Sequence, residues 1–111
     1  MTVSDTKAMS GAAVAQWHQI LSLTDSLLVA ANNGEWEQIE RLEAQRRPLI
    51  FEFFQRYPNA KQSVTIAEDI AKILAQDRKV MELATKHQNQ IAIELGRLKQ
   101  NRHAIATYGR P

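Results

Sequence analysis

The chain contains no cysteine. Disulfides and thiolate metal sites are therefore excluded, and the composition fits a reducing compartment such as the cytoplasm. Proline and glycine are scarce, at three and four in 111 residues. The internal breaks fall at Asn32-Asn33-Gly34 and at Tyr57-Pro58-Asn59, leaving long stretches between them. No apolar run approaches the roughly 20 residues of a membrane span. Met1 to Ser10 carries Asp5 and no hydrophobic stretch, so it is expected to be a frayed start and not a signal peptide.

The net charge is only +2, but it is unevenly placed. Residues 1–77 hold seven Lys/Arg and ten Asp/Glu, a balance of −3, whereas residues 78–111 hold seven Lys/Arg and two Glu, a balance of +5. The basic C-terminal third is either a solvated helix face or the mark of an acidic partner. At 111 residues the chain is sized for one domain with a single core, burying about two thirds of its unfolded surface.

Apolar residues recur at helical spacing throughout, and nothing alternates as a strand would. A first helix is predicted from about Ser10 to Asn32, with Val14, Trp17, Leu21, Leu28 and Ala31 on one stripe widened by Ile20, Leu23 and Leu27. The Asn-Asn-Gly that follows suits a left-handed helix cap. A second helix is predicted from Glu35 to about Tyr57, with Glu35, Glu37 and Glu40 near its positive dipole end. Its face is Trp36, Ile39, Leu42, Leu49, Ile50, Phe53, Phe54 and Tyr57. Pro48 lies inside this pattern and predicts a kink near Ala44 to Arg47, or a break there.

A third helix is predicted to start near Ser63 or Thr65, with Thr65-Ile66-Ala67-Glu68 as a capping box. Its seam reads Ile66, Ile70, Ile73, Asp77, Val80, Ala84, His87, Ile91, Glu94 or Leu95, Leu98, Arg102, Ile105, the three-four alternation of a heptad. It could run about 40 residues, roughly 60 Å. The first two helices are too short to cover it. The distal part must be covered by a second copy, by a partner, or by folding back near Gly96. The expected fold is all-α: an antiparallel bundle of three main helices in a single domain over 1–111, with a long third helix, continuous or broken near Gly96 into a short C-terminal helix.

The residues that carry chemistry are poorly placed for it. His18, His87 and His103 have no i, i+4 zinc spacing, and His87 reads as a polar seam residue that sets register. Glu37, Glu40 and Glu43 lie beside Arg41, Arg46 and Arg47, and Glu43 with Arg47 makes an ordinary i, i+4 pair. Gly11, Gly34, Gly96 and Gly109 form no phosphate loop, and no serine has a nucleophile-elbow context. No catalytic residue, cofactor or metal is expected. Arg97, Lys99, Arg102 and Arg110 have only Tyr108 as an aromatic among them, unlike the interleaved stacking platforms of single-strand binders, so direct nucleic-acid binding is not expected. Phe51, Phe53, Phe54 and Tyr57 cannot all share one helix face; they build a thick local core or line a groove for an amphipathic partner helix.

Several of these residues together resemble a known family. Trp17-His18-Gln19-Ile20-Leu21, Leu27-Leu28, Asn33-Gly34-Glu35-Trp36, Leu42-Glu43-Ala44-Gln45-Arg46-Arg47 and Ala106-Thr107-Tyr108-Gly109-Arg110 are similar, in order and spacing, to the FliT-type flagellar export chaperones. The resemblance covers about Trp17 to Arg110. It implies a cytoplasmic helical protein that escorts the filament-cap protein FliD to the flagellar type III export gate. It also implies contacts with export ATPase components and, in some bacteria, with FlhDC, and a regulatory C-terminal segment over about 97–111. Pro48 and the short tail closing at Pro111 depart from the family's pattern.

On this reading the partner-binding surface is Ile70, Ile73, Leu74, Val80, Met81 and Ala84 on the third helix, with Met81 as an adaptable contact. Leu98, Ile105 and Tyr108 are expected to compete for that surface. The alternatives are a helical protein that forms a homodimer through the distal seam, an adaptor with no flagellar role, and a nucleic-acid-binding regulator.

Overall fold

The computed structural model describes residues 9–108, with side chains through Ala106. Three α-helices make up almost all of it: α1 (Gly11–Asn32), α2 (Trp36–Arg56) and α3 (Val64–Tyr108). A single 3₁₀ turn, Ala60–Gln62, joins α2 to α3.

Local chemistry sets each boundary. Ser10 caps α1: its Oγ accepts from the Ala13 amide at 3.1 Å. The helix ends in a paired closure, with the Gly34 amide donating to the Ala31 carbonyl and the Glu35 amide to the Ala30 carbonyl. These are the two bonds of a Schellman motif. Gly34 sits at φ +71°, in the left-handed region where a side chain costs roughly 1 kcal/mol or more.

α2 runs unbroken through Pro48. The proline cannot donate to the carbonyl of Ala44, but both residues are exposed, so water can satisfy that carbonyl. Of the kink or break expected there, the break is absent. The cap of α3 also lies two residues earlier than the capping box would place it. Ser63 supplies it, with Oγ accepting from the Ile66 amide at 3.3 Å and its carbonyl accepting from Ala67. Ile66, not a glutamate, occupies the third helical position, so Thr65 and Glu68 do not form the reciprocal pair.

Two apolar clusters and one polar layer hold the helices together. The first cluster, at the α2–α3 turn, gathers Trp17, Ile20, Phe53, Ile66 and Ile73. Trp17 and Phe53 lie with centroids 5.0 Å apart, and Phe54 meets both rings edge-on. The indole Nε1 donates to Asp69 at 2.8 Å, which satisfies the one polar atom that the buried ring carries. Phe53 is fully buried, Phe54 and Tyr57 are half-buried, and Phe51 points to solvent. The second cluster, at the α1–α2 turn, gathers Leu27, Ala30, Ala31, Ile39 and Leu42, with Trp36, Val80 and Leu83 packed on it.

Between the clusters lies Arg46. Its guanidinium grips both carboxylate oxygens of Asp77 at 2.8 and 3.0 Å, and Nη1 also donates to the Thr24 hydroxyl at 3.0 Å. Thr24 in turn donates to the Ile20 carbonyl. One side chain from each helix thus meets in a single layer. Arg46 is 7% exposed, and no buried side-chain polar atom among the described residues lacks a partner.

Candidate partner-binding surface

The α3 helix has 45 residues and runs on through Gly96 without a break. At 1.5 Å per residue that is about 67 Å, against about 33 Å for α1 and 32 Å for α2. The molecule is accordingly a rod of 80 × 21 × 20 Å. Folding back at Gly96 does not occur. An added methyl at Gly96 would touch nothing within 4 Å, so the glycine answers no packing demand.

His87 marks where the cover stops. Its ring stacks on Trp36 of α2 at 4.6 Å and 20°. Every described residue from Gln88 to Ala106 is exposed. Yet the seam does not stop. Asp77, Ala84, Ile91, Leu98 and Ile105 are spaced by seven, and Leu95 follows Ile91 by four, so Ile91, Leu95, Leu98 and Ile105 prolong the face that is buried further back. These four are 42 to 69% exposed. An apolar stripe in register with a core but without a neighbour is the kind of surface that receives a helix.

The residues singled out from sequence divide among three environments. Ile73 is 8% exposed and belongs to the core, so it is withdrawn from the open surface: α1 and α2 already cover its line of the helix. Ile70 packs half-buried on the first cluster, Val80 packs half-buried on the second, and Ala84 is half-buried beyond it. Leu74 and Met81 are free, at 57% and 69% exposed, one position round the helix from the covered line. Leu98 and Ile105 are exposed on the same straight helix, about 26 Å past Met81 in the case of Leu98, and do not cover Leu74 or Met81. Tyr108 closes α3, and its side chain lies outside the described residues.

Sequence reasoning placed Ile91 on the seam, with Glu94 or Leu95 after it, but left them out of the binding set. The signal was the length mismatch, which pointed past His87. Arg46 was read only as a neighbour of Glu37, Glu40 and Glu43 and as part of the family-like stretch Leu42 to Arg47. Asp77 on an apolar seam was the clue that a buried cation would be needed opposite it.

No group of three or more acidic or histidine side chains among the described residues could hold a metal ion. A hollow of about 600 Å³, open to solvent, is lined by Met9, Arg56, Tyr57, Pro58 and their neighbours, with Arg56 as its one charged lining residue. No described helix is long and apolar enough to cross a membrane.

A short three-helix bundle from which one bare helical arm extends defines the class: an all-helical protein with a long third helix. Comparison with known families gives that class a place. The model of the family described as flagellar protein FliT matches residues 14–110. The chain belongs to the FliT flagellar protein family. Comparison with curated proteins and with solved structures finds no match.

Proposed function

We propose that this protein is a cytoplasmic export chaperone that binds the flagellar filament-cap protein FliD, keeps it unassembled and delivers it to the type III export apparatus. The family match over residues 14–110 supports a flagellar role. The observation that carries the chaperone reading is the uncovered face of α3, where Leu74, Met81, Ile91, Leu95, Leu98 and Ile105 are exposed on one rigid element. An amphipathic client helix laid there would have its own apolar face hidden and would be unable to polymerise. Contacts with export ATPase components and with FlhDC are further expectations of the same reading.

The test is calorimetric titration of the full chain with the purified cap protein. Binding is expected, and Met81→Glu or Leu95→Glu is expected to weaken it by about tenfold or more while leaving the helical spectrum unchanged. Both positions are exposed, so neither variant disturbs the core. Equal binding by both variants would place the client elsewhere, and no binding by the wild-type chain would remove the proposal.

A further inference from the structure

The uncovered stripe has one position that is not apolar. Arg102 follows Leu98 by four residues and precedes Ile105 by three, so it stands on the stripe between them. No Asp or Glu occurs after Glu94, eight residues before it. Among the described residues Arg102 takes part in no ion pair. Lys99 flanks the stripe one turn after Leu95. Over residues 88–106 Arg97, Lys99 and Arg102 stand against Glu94, a net +2.

The covered half of α3 shows what a charge on this seam requires. Asp77, in heptad register with Ile91, Leu98 and Ile105, is met by Arg46 from the neighbouring helix through two short bonds. A charge brought out of water into an apolar seam is tolerated when the facing helix supplies its opposite. At Arg102 the sign is reversed, so the facing helix must supply a carboxylate.

We infer that the distal stripe of α3 selects an amphipathic helix of acidic character, which lays its apolar residues on Ile91, Leu95, Leu98 and Ile105 and sets an Asp or Glu against Arg102. This rests on the chaperone reading only in taking that helix to be part of the client. A second copy fits less well. Parallel pairing would set Arg102 against Arg102, and antiparallel pairing would leave four net positive charges along two arms. The chain's own body cannot serve, because the straight helix carries the stripe away from it.

Two synthetic helical peptides provide the test. They carry the same heptad of leucines and differ only in Glu or Lys at one seam position. Fluorescence anisotropy would measure each against the full wild-type chain and against Arg102→Glu, with Arg97→Glu as an equal charge change off the stripe. The Glu peptide is expected to bind wild type about 30-fold more tightly than the Lys peptide. Arg102→Glu should reverse that order, and Arg97→Glu should keep it. No preference, no binding by either peptide, or a preference that survives Arg102→Glu would overturn the inference, whatever the cap protein does in the separate titration. Sedimentation of the chain alone closes the remaining alternative: a dimer that Leu98→Glu dissociates would give the stripe to a second copy and overturn it as well.

Discussion

The two halves of α3 carry one pattern and meet two fates. From Ile66 to His87 the seam is packed against α1 and α2; from Gln88 to Ala106 the same spacing faces water. Periodicity therefore states which face of a helix can be buried, whereas the reach of its neighbours decides whether it is. α1 and α2 end about where two helices of 22 and 21 residues must end, and the difference in length is the surface the molecule offers.

The sharpest way to break this comparison is to make one change in both halves. Ile66→Ala, at a residue 1% exposed beneath Phe53 and Trp17, should cost about 3 kcal/mol in urea unfolding. Leu98→Ala should move the same curve by less than about 0.5 kcal/mol, since its side chain is already in water. Comparable losses at the two sites would mean that the distal seam is covered in solution.

Arg46→Ala comes next, at roughly 2 kcal/mol. It strands Asp77 and Thr24 together, although the Asp77 side chain is one third exposed and recovers some hydration. Gly34→Ala should cost about 1 kcal/mol, because at a φ of +71° the Cβ of alanine crowds the backbone. Gly96→Ala is the smallest and has the opposite sign. It should leave global unfolding unchanged and raise amide protection in the distal arm, in keeping with a gain of up to about 1 kcal/mol in local helix propensity. Hydrogen exchange would read it, and a loss of protection there would show that the arm needs to bend at this point.

Much of the fold is legible in the sequence. The termini of α1 follow from Ser10 and the Asn-Asn-Gly stop, and both ends agree to within one residue. The long third helix follows from the absence of breakers between Ser63 and Gly96, and the structure extends it further still, to Tyr108. Of the two outcomes Pro48 suggested, the break does not occur. A proline disrupts a helix according to which carbonyl it strands, and one facing solvent costs little of the tertiary structure. Of the two starts the sequence offered for α3, Ser63 is the cap, and the Thr65–Glu68 pattern two residues on is not used.

The open surface was read less well. Apolar residues near the middle of α3 were favoured, and spacing alone does not say that Ile73 is covered while Met81, eight residues later, is not. That distinction depends on where α1 and α2 approach, which is a long-range property. Arg46 teaches the same lesson in reverse. The Glu43–Arg47 pair visible in the sequence exists, at 3.5 Å on the surface, but the neighbouring arginine is the one that joins three helices.

The rod shape has a practical consequence for weighing the particle. The Cα radius of gyration is 21.6 Å, whereas a compact chain of about this length has roughly 13 Å. A monomer this elongated tumbles and filters as a much larger sphere would. Gel filtration calibrated with globular standards should therefore assign it a dimer's mass, and only a measurement of mass itself, by sedimentation equilibrium or light scattering, would return 12.6 kDa for the single chain.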